Sequence, residues 1–274
     1  MFFLSYQIHN FWKNDDIKMI AQKNGFTVFE YQRDLSVCRD TAQMEYFAAQ
    51  MGVRRRQLVC ALEESGVTLQ AGAMQWMAGN VNVSTGVKGV GDLIGKAVKG
   101  KVTSESAIKP EYTGTGLLVT EPTYRHLILM DVREWGGAVV LDDGLFLACE
   151  SHLKQSVVMR SNLSSAAFGG KGLFNQCLSG ESGVFCVEAD CPRGELIQVD
   201  LMNDTLKVDG NFAIAWSASL NFSVERTTKS LIGSAASGEG LVNVYRGTGR
   251  VLMMPVAAGS AFCGTGAHQI VVGD

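Results

Sequence analysis

From residue 206 to 255 apolar and polar side chains alternate along the chain. Phe212, Ile214 and Trp216 are offset by Ala213, Ala215 and Ser217, and Leu220, Phe222 and Val224 by Asn221, Ser223 and Glu225. A period of two marks strands with one buried face, so this stretch reads as β. Asp209-Gly210 separates two such runs and supplies the positive φ of a tight turn, which predicts a β-hairpin there. Gly238 and Gly240 precede a further apolar run, Leu241 to Tyr245, and Gly247-Thr248-Gly249 turns it into Val251 to Met254.

Three passages rhyme when their glycines are aligned. Leu69-Gln70-Ala71-Gly72-Ala73-Met74-Gln75-Trp76, Leu141-Asp142-Asp143-Gly144-Leu145-Phe146-Leu147-Ala148 and Lys207-Val208-Asp209-Gly210-Asn211-Phe212-Ala213-Ile214 each read as strand, turn glycine, strand. A second marker follows each: Gly114-Thr115-Gly116-Leu117, Gly170-Lys171-Gly172-Leu173 and Gly238-Glu239-Gly240-Leu241. Two markers recurring in order predict an internal triplication, with units at about 57–121, 124–178 and 184–255. Spacings of 72 and 66 residues between the turn glycines are too long for a solenoid coil, so three similar β-units around a pseudo-threefold axis are expected.

Residues 1–55 differ in texture and are expected to form an α/β appendage with one strand and one helix. Phe26 to Tyr31 reads as the strand. Thr41 to Met51 carries Met44, Phe47, Ala48 and Met51 at helical spacing, with Asp40 as cap and Gly52 as stop. Arg54-Arg55-Arg56 follows, either as a solvated junction or as a contact for an anionic ligand.

The sequence matching these strands and turns resembles the AIM24 family, bacterial and mitochondrial proteins long grouped as a domain of unknown function. The residues that carry the resemblance are Ala71 to Met77, Asp209 to Trp216 and Gly233 to Val242, and it covers roughly Arg56 to Pro255. It implies a β-sandwich resembling the tryptophan-attenuation RNA-binding protein, repeated three times in one chain. The family has no established catalytic residues, so none is carried over.

Composition narrows the functions. The chain has 274 residues, 46% of them hydrophobic, and a formal charge of −3, which argues against a general nucleic-acid binder because phosphate contacts need a basic field. Thirty-one glycines against four prolines suit many tight turns. Seven cysteines form no CxxC pair, and Met1 to Asn10 lacks the basic start of a secretory leader, so reduced thiols in the cytoplasm are expected. No apolar run approaches the ~18 residues of a membrane span.

Candidate chemistry is sparse. Gly95 to Lys101 nearly forms a phosphate loop, but Val102 stands where a magnesium-binding Ser or Thr belongs. Asp142, Asp143, Glu150 and His152 lie on one expected hairpin, with Glu150 and His152 on one strand face; hard-metal or acid–base use competes there with a plain solvent-facing turn. His126, Asp131 and the serines give no nucleophile elbow. Trp76 and Trp216 occupy matching hairpins and are read as packing residues. No catalytic, cofactor or metal site is therefore assigned, and the chain is not expected to be an enzyme.

The expected function is a non-catalytic, self-associating β-scaffold, a homo-oligomer binding an unknown protein or small ligand. Nucleic-acid binding by analogy of fold is one alternative. Peripheral membrane attachment through residues 85–111 is another: Lys96, Lys99 and Lys101 fall mostly opposite Val90, Leu93, Ile94, Ala97 and Val98 on a short helix, although an apolar cap on the β-core accounts for the same pattern.

Overall fold

The computed structural model describes residues 6–34, 36–63, 66–86, 109–159, 174–209, 212–226 and 241–256. Among the described residues 58% are in strands and 10% in helices, so the protein is mainly β, with its sheets forming a near-barrel. Among the described residues no helix is long and apolar enough to cross a membrane.

The chain opens with β1 (Ile17–Lys23), β2 (Phe26–Tyr31) and α1 (Arg39–Gln50). It continues through β3 (Arg56–Leu62), β4 (Val67–Leu69), β5 (Met74–Ser84) and β6 (Glu111–Thr120). Next come β7 (His126–Asp131), β8 (Ala138–Leu141), β9 (Phe146–Glu150), β10 (Lys154–Met159), β11 (Phe174–Ser179) and β12 (Val184–Ala189). The last strands are β13 (Ile197–Asp209), β14 (Ala213–Ser217), β15 (Asn221–Arg226) and β16 (Leu241–Met253). A nine-stranded sheet runs β1-β2-β3-β6-β4-β9-β12-β7 with β5 on β6, and a seven-stranded one runs β10-β11-β8-β14-β16-β13 with β15 on β16.

One pairing order occurs three times. β6 carries β3 and then β4 along one edge, from Val59↔Val119 to Thr68↔Glu111, and β5 along the other, from Met74↔Thr120 to Ser84↔Glu111. β16 likewise carries β13 on one edge and β14 then β15 on the other. In between, the line formed by β11 and β12 carries β8 and β7 on one edge and β10 and β9 on the other. The sets are joined by β4·β9, from Val67↔Glu150 to Leu69↔Ala148, and by β8·β14, from Val139↔Ser217 to Leu141↔Ala215.

This pairing corrects the expected hairpins. β13 and β14 do not pair with each other; both pair with β16, on opposite edges, as β4 and β5 do with β6. The turn at Gly72, and the equivalent turn at Gly144, therefore carry the chain across a central line rather than closing a two-residue hairpin. Their φ values of +81° and +79° suit glycine for this corner, and nothing lies within 4 Å of an added Cβ. The default pairing of sequence neighbours gives way because the two neighbours take opposite edges of one central line.

The second marker also shifts. Gly114 and Gly116 lie inside β6, where a Cβ on either would meet the carbonyl oxygen of Asn80 or Ala78 at 2.1 Å. By pairing, their counterparts are the Gly180–Gly183 break between β11 and β12 and the Gly247–Gly249 stretch of β16. Gly172, Gly210 and Gly240 lie outside the described residues, as do Lys96, Lys99 and Lys101. The expected limit between the second and third units moves as well: Val184–Ala189 pairs with β7 and β9 and so belongs with the second set.

The N-terminal residues hold two strands rather than one, since Ile17–Lys23 pairs with Phe26–Tyr31. β2 in turn pairs with β3 from Phe26↔Cys60 to Glu30↔Arg56, so the sheet runs without a break across the expected boundary at 55/56. β1 was missed because Ile17, Lys18, Met19, Ile20 and Ala21 do not alternate.

Each apolar cluster centres on one set and takes in residues of a neighbouring one. Leu58, Leu62, Leu69, Leu118 and Phe26 centre one cluster, Met130, Leu141, Phe185 and Leu178 a second, and Trp216, Tyr245 and Val251 a third. A fourth joins Phe29, Val59, Leu117 and Val119 to Tyr6, Ile8, Phe11 and Trp76, so the first described residues lie over one face of the sheet.

Candidate binding cleft beneath helix α1

Helix α1 begins at Cys38, two residues before the expected cap, and the Cys38 backbone N–H donates to Thr41 Oγ1 at 3.2 Å. Asp40 instead sits in the first turn, where a carboxylate complements the helix dipole. The Thr41 hydroxyl bond is the chief cause lowering the Cys38 thiol below its ordinary range. Past the C-terminus, Gly52 takes φ +78°.

The helix buries none of its residues. Met44 is 64% exposed, Phe47 59% and Met51 83%, so the stripe that marks the helix in the sequence points away from the protein. Helical spacing shows that a stripe exists and not which side is covered.

Under the helix lies a cleft of about 300 Å³. Ala42, Glu45 and Ala49 of α1 form its roof, and Tyr31, Asp34, Arg54, Arg55 and Tyr124 its floor and walls. The three arginines are tied to this floor. Arg56 is buried, with Nη2 2.8 Å from Glu30 Oε2 and 2.9 Å from the Gly52 carbonyl. Arg54 Nη1 donates to Gln32 Oε1 at 2.6 Å and its Nε to the Ala49 carbonyl at 3.3 Å. Arg55 Nε donates to Tyr124 Oη at 3.0 Å and lies 2.8 Å from Asp34 Oδ2, while the Tyr124 hydroxyl donates to Glu45 Oε2 at 3.1 Å. Tyr124 thus bridges the junction to the helix. Glu30, Asp34, Glu45 and Tyr124 carried no motif; they were invisible in the sequence because they converge from three separate segments.

Electrostatics in the cleft follow from these contacts. Asp34 is held below the usual carboxylate range, first by the Ser36 hydroxyl and then, against the opposing effect of burial, by the Ser36 backbone N–H and the Arg55 charge. The Tyr31 phenol is raised by burial and by Asp34. Arginines, carboxylates and tyrosines around a small apolar roof can hold a polar ligand by hydrogen bonds.

The other candidates are placed as follows. Glu150 Oε2 accepts the Val184 N–H at 2.7 Å and Oε1 accepts from Asn24 Nδ2 at 3.3 Å. His152 lies in the turn past β9, its Nε2 2.9 Å from the Ser182 carbonyl, so strand alternation does not relate it to Glu150. Both clasp the 180–184 bend. Asp142 Oδ1 accepts from Asn175 Nδ2 at 3.4 Å. Among the described residues no three His, Cys, Asp or Glu side chains are grouped to hold a metal ion. Trp216 stacks on Phe222 at 5.4 Å and meets Tyr245 at 5.3 Å, and a groove of about 180 Å³ opens beside it. Trp76 packs edge-on to Phe11 at 5.6 Å. Cys60, Cys149, Cys177, Cys186 and Cys191 are buried free thiols; burial pushes Cys149 up to about 12.

The family model described as mitochondrial biogenesis AIM24 matches residues 49–256. An uncharacterized protein of Streptococcus pyogenes serotype M6 is 29% identical over 199 residues, 69% of this chain and 77% of its own. The crystal structure of a protein from Streptococcus pyogenes superposes with a TM-score of 0.54 at 23% identity, over 74% of this chain and 89% of the other, and shares the fold. Met44 and Phe47 precede the matched region.

Proposed function

Since the chain belongs to the AIM24 family, we propose that it is a non-catalytic, self-associating β-scaffold that works by binding in a reducing cytoplasm. The observation that carries this reading is the helix α1, which buries no residue yet presents Met44, Phe47 and Met51 to solvent. Isolated helices shorter than ~12–15 residues are marginal in water, so most helical stability in proteins comes from packing of the apolar face. A 12-residue helix holding that face outward is an element made for docking. The free buried thiols support a reducing location. The recurring pairing order supports reading the core as a triplicated unit. Sedimentation velocity over micromolar concentrations tests the proposal: a concentration-dependent oligomer is expected, and a strict monomer would sink it.

A further inference from the structure

We infer that copies of this chain join head to tail by strand pairing, the β13 edge of one running antiparallel to the β5 edge of the next, in the register of the two joints inside the chain. The inference rests on the self-association proposed above and names the surface that makes it.

The two internal joints share one register. In the first, Val67, Thr68 and Leu69 face Glu150, Cys149 and Ala148; in the second, Val139, Val140 and Leu141 face Ser217, Trp216 and Ala215. The same backbone bonds extend both. Gln70 N–H donates to the Leu147 carbonyl at 2.7 Å, as Asp142 N–H does to that of Ile214 at 2.8 Å. Ser151 N–H donates to the Gly66 carbonyl at 2.8 Å, as Ala218 N–H does to that of Ala138 at 3.0 Å.

Both halves of a third such joint are present, apart from each other. Matching Gly114-Thr115-Gly116 to Gly247-Thr248-Gly249 equates Tyr112 with Tyr245, and the residues facing them equate Val67 with Leu206. It also equates β5 with β14, down to the register shift between Met74 and Trp76 and between Ala213 and Ala215. Leu206, Lys207 and Val208 therefore correspond to a strand that faces Ala78, Met77 and Trp76. Among the described residues, however, β13 pairs with β16 alone and β5 with β6 alone. Burial records the difference: Cys149 is 0% exposed and Trp216 3%, while their equivalent Met77 is 41% exposed. Likewise Thr68 and Val140 are buried and Lys207 is exposed.

A free strand edge is a row of unpaired N–H and C=O groups that templates another chain. These two edges complement each other and every copy carries both, so a second copy supplies what the first lacks. Lys207 blunts casual pairing, as edge lysines do; opposite Met77 its stem has an apolar neighbour and no like charge. The edges differ, so the contact is heterologous.

In this register the backbone N–H groups of Lys207 and Met77 point out from their edges, by the alternation of an antiparallel ladder. Proline at either position removes a bond of the joint and none within the chain. In sedimentation velocity on the full chain, Lys207→Pro and Met77→Pro are each expected to raise the dissociation constant of the oligomer at least about tenfold. Far-ultraviolet circular dichroism is expected to be unchanged. Mixed together, the two variants are expected to form a one-to-one dimer, because one keeps its β5 edge and the other its β13 edge. Register is read with Lys207→Cys mixed with Met77→Cys, both in chains carrying Cys38→Ser and Cys263→Ser. An interchain disulfide is expected, since such opposed residues have Cα atoms about 5.5 Å apart.

A wild-type monomer at every concentration leaves both edges to strands of other proteins and removes this inference together with the self-association beneath it. A wild-type oligomer left intact by both proline variants overturns the strand joint alone. So does a pair of monomeric proline variants that fail to complement each other, or the absence of the interchain disulfide.

Discussion

Glu150 Oε2 accepts the backbone N–H of Val184 at 2.7 Å, across the bend where β11 gives way to β12. Glu150 is buried, so its loss leaves a buried donor without a partner. Glu150→Ala is expected to destabilise the protein by about 1–3 kcal/mol and Glu150→Gln by less, because the amide oxygen still accepts. Urea unfolding midpoints decide it; equal losses would show that the bond to Val184 is not the cause.

Glu225 and Arg246 form a bidentate pair across β15 and β16, at 2.5 Å and 2.8 Å. The bonds from Arg246 and then Ser223 hold the Glu225 carboxyl down at about 2, from an ordinary 4.5. A depressed folded-state value means that the pair's contribution is present above pH 4.5 and is lost as pH falls toward 2. Both groups are solvated, so the effect on stability is small. In Arg246→Gln, the Glu225 carboxyl is expected to titrate close to its ordinary value in an NMR pH series; an unmoved low value would refute the pairing.

Gly116 and Gly72 separate two reasons for a glycine. At Gly116 a Cβ would lie 2.1 Å from a backbone oxygen, whereas at Gly72 only the +81° φ resists substitution. Gly116→Ala is expected to lose more than the about 1–3 kcal/mol of ordinary overpacking, and Gly72→Ala roughly 1 kcal/mol or somewhat more. Thermal melts that rank the two the other way would contradict this account of the central line.

Hydrogen exchange gives a fourth test. With no buried side chain, α1 is expected to exchange faster than β3, β12 or β16 by opening locally. Tyr124→Phe, which removes the link to Glu45, is expected to speed exchange in α1 while leaving the strands unchanged. Acceleration spread evenly over the sheets would mean that Tyr124 does not act through the helix.

The strands were largely legible because a period of two marks extended chain, as in Phe212 to Ser217, although the single buried face expected there is not found: β14 is buried on both faces from Ala213 to Ser217. Their partners were not, since a central line such as β16 pairs on both edges and a period of two says nothing about which strand sits beside it. Gly247-Thr248-Gly249 matches Gly114-Thr115-Gly116 letter for letter, and alignment on Gly238 and Gly240 hid the match. α1 was visible as a helix from Met44, Phe47 and Met51, but their outward aspect depends on the absence of a covering element, which spacing does not encode. The arginine run was visible; its carboxylates were not, because ion pairs between distant segments leave no local trace.

The joints β4·β9 and β8·β14 have a mechanical consequence. Because each places one set's strand at the edge of its neighbour's, neither large sheet belongs to a single set. A protein cut between the second and third sets would carry a raw edge along β8, and its complement one along β14. Such halves are sticky fragments rather than modules, and recombination that respects the threefold rhythm of the sequence would cut through hydrogen-bonded ladders.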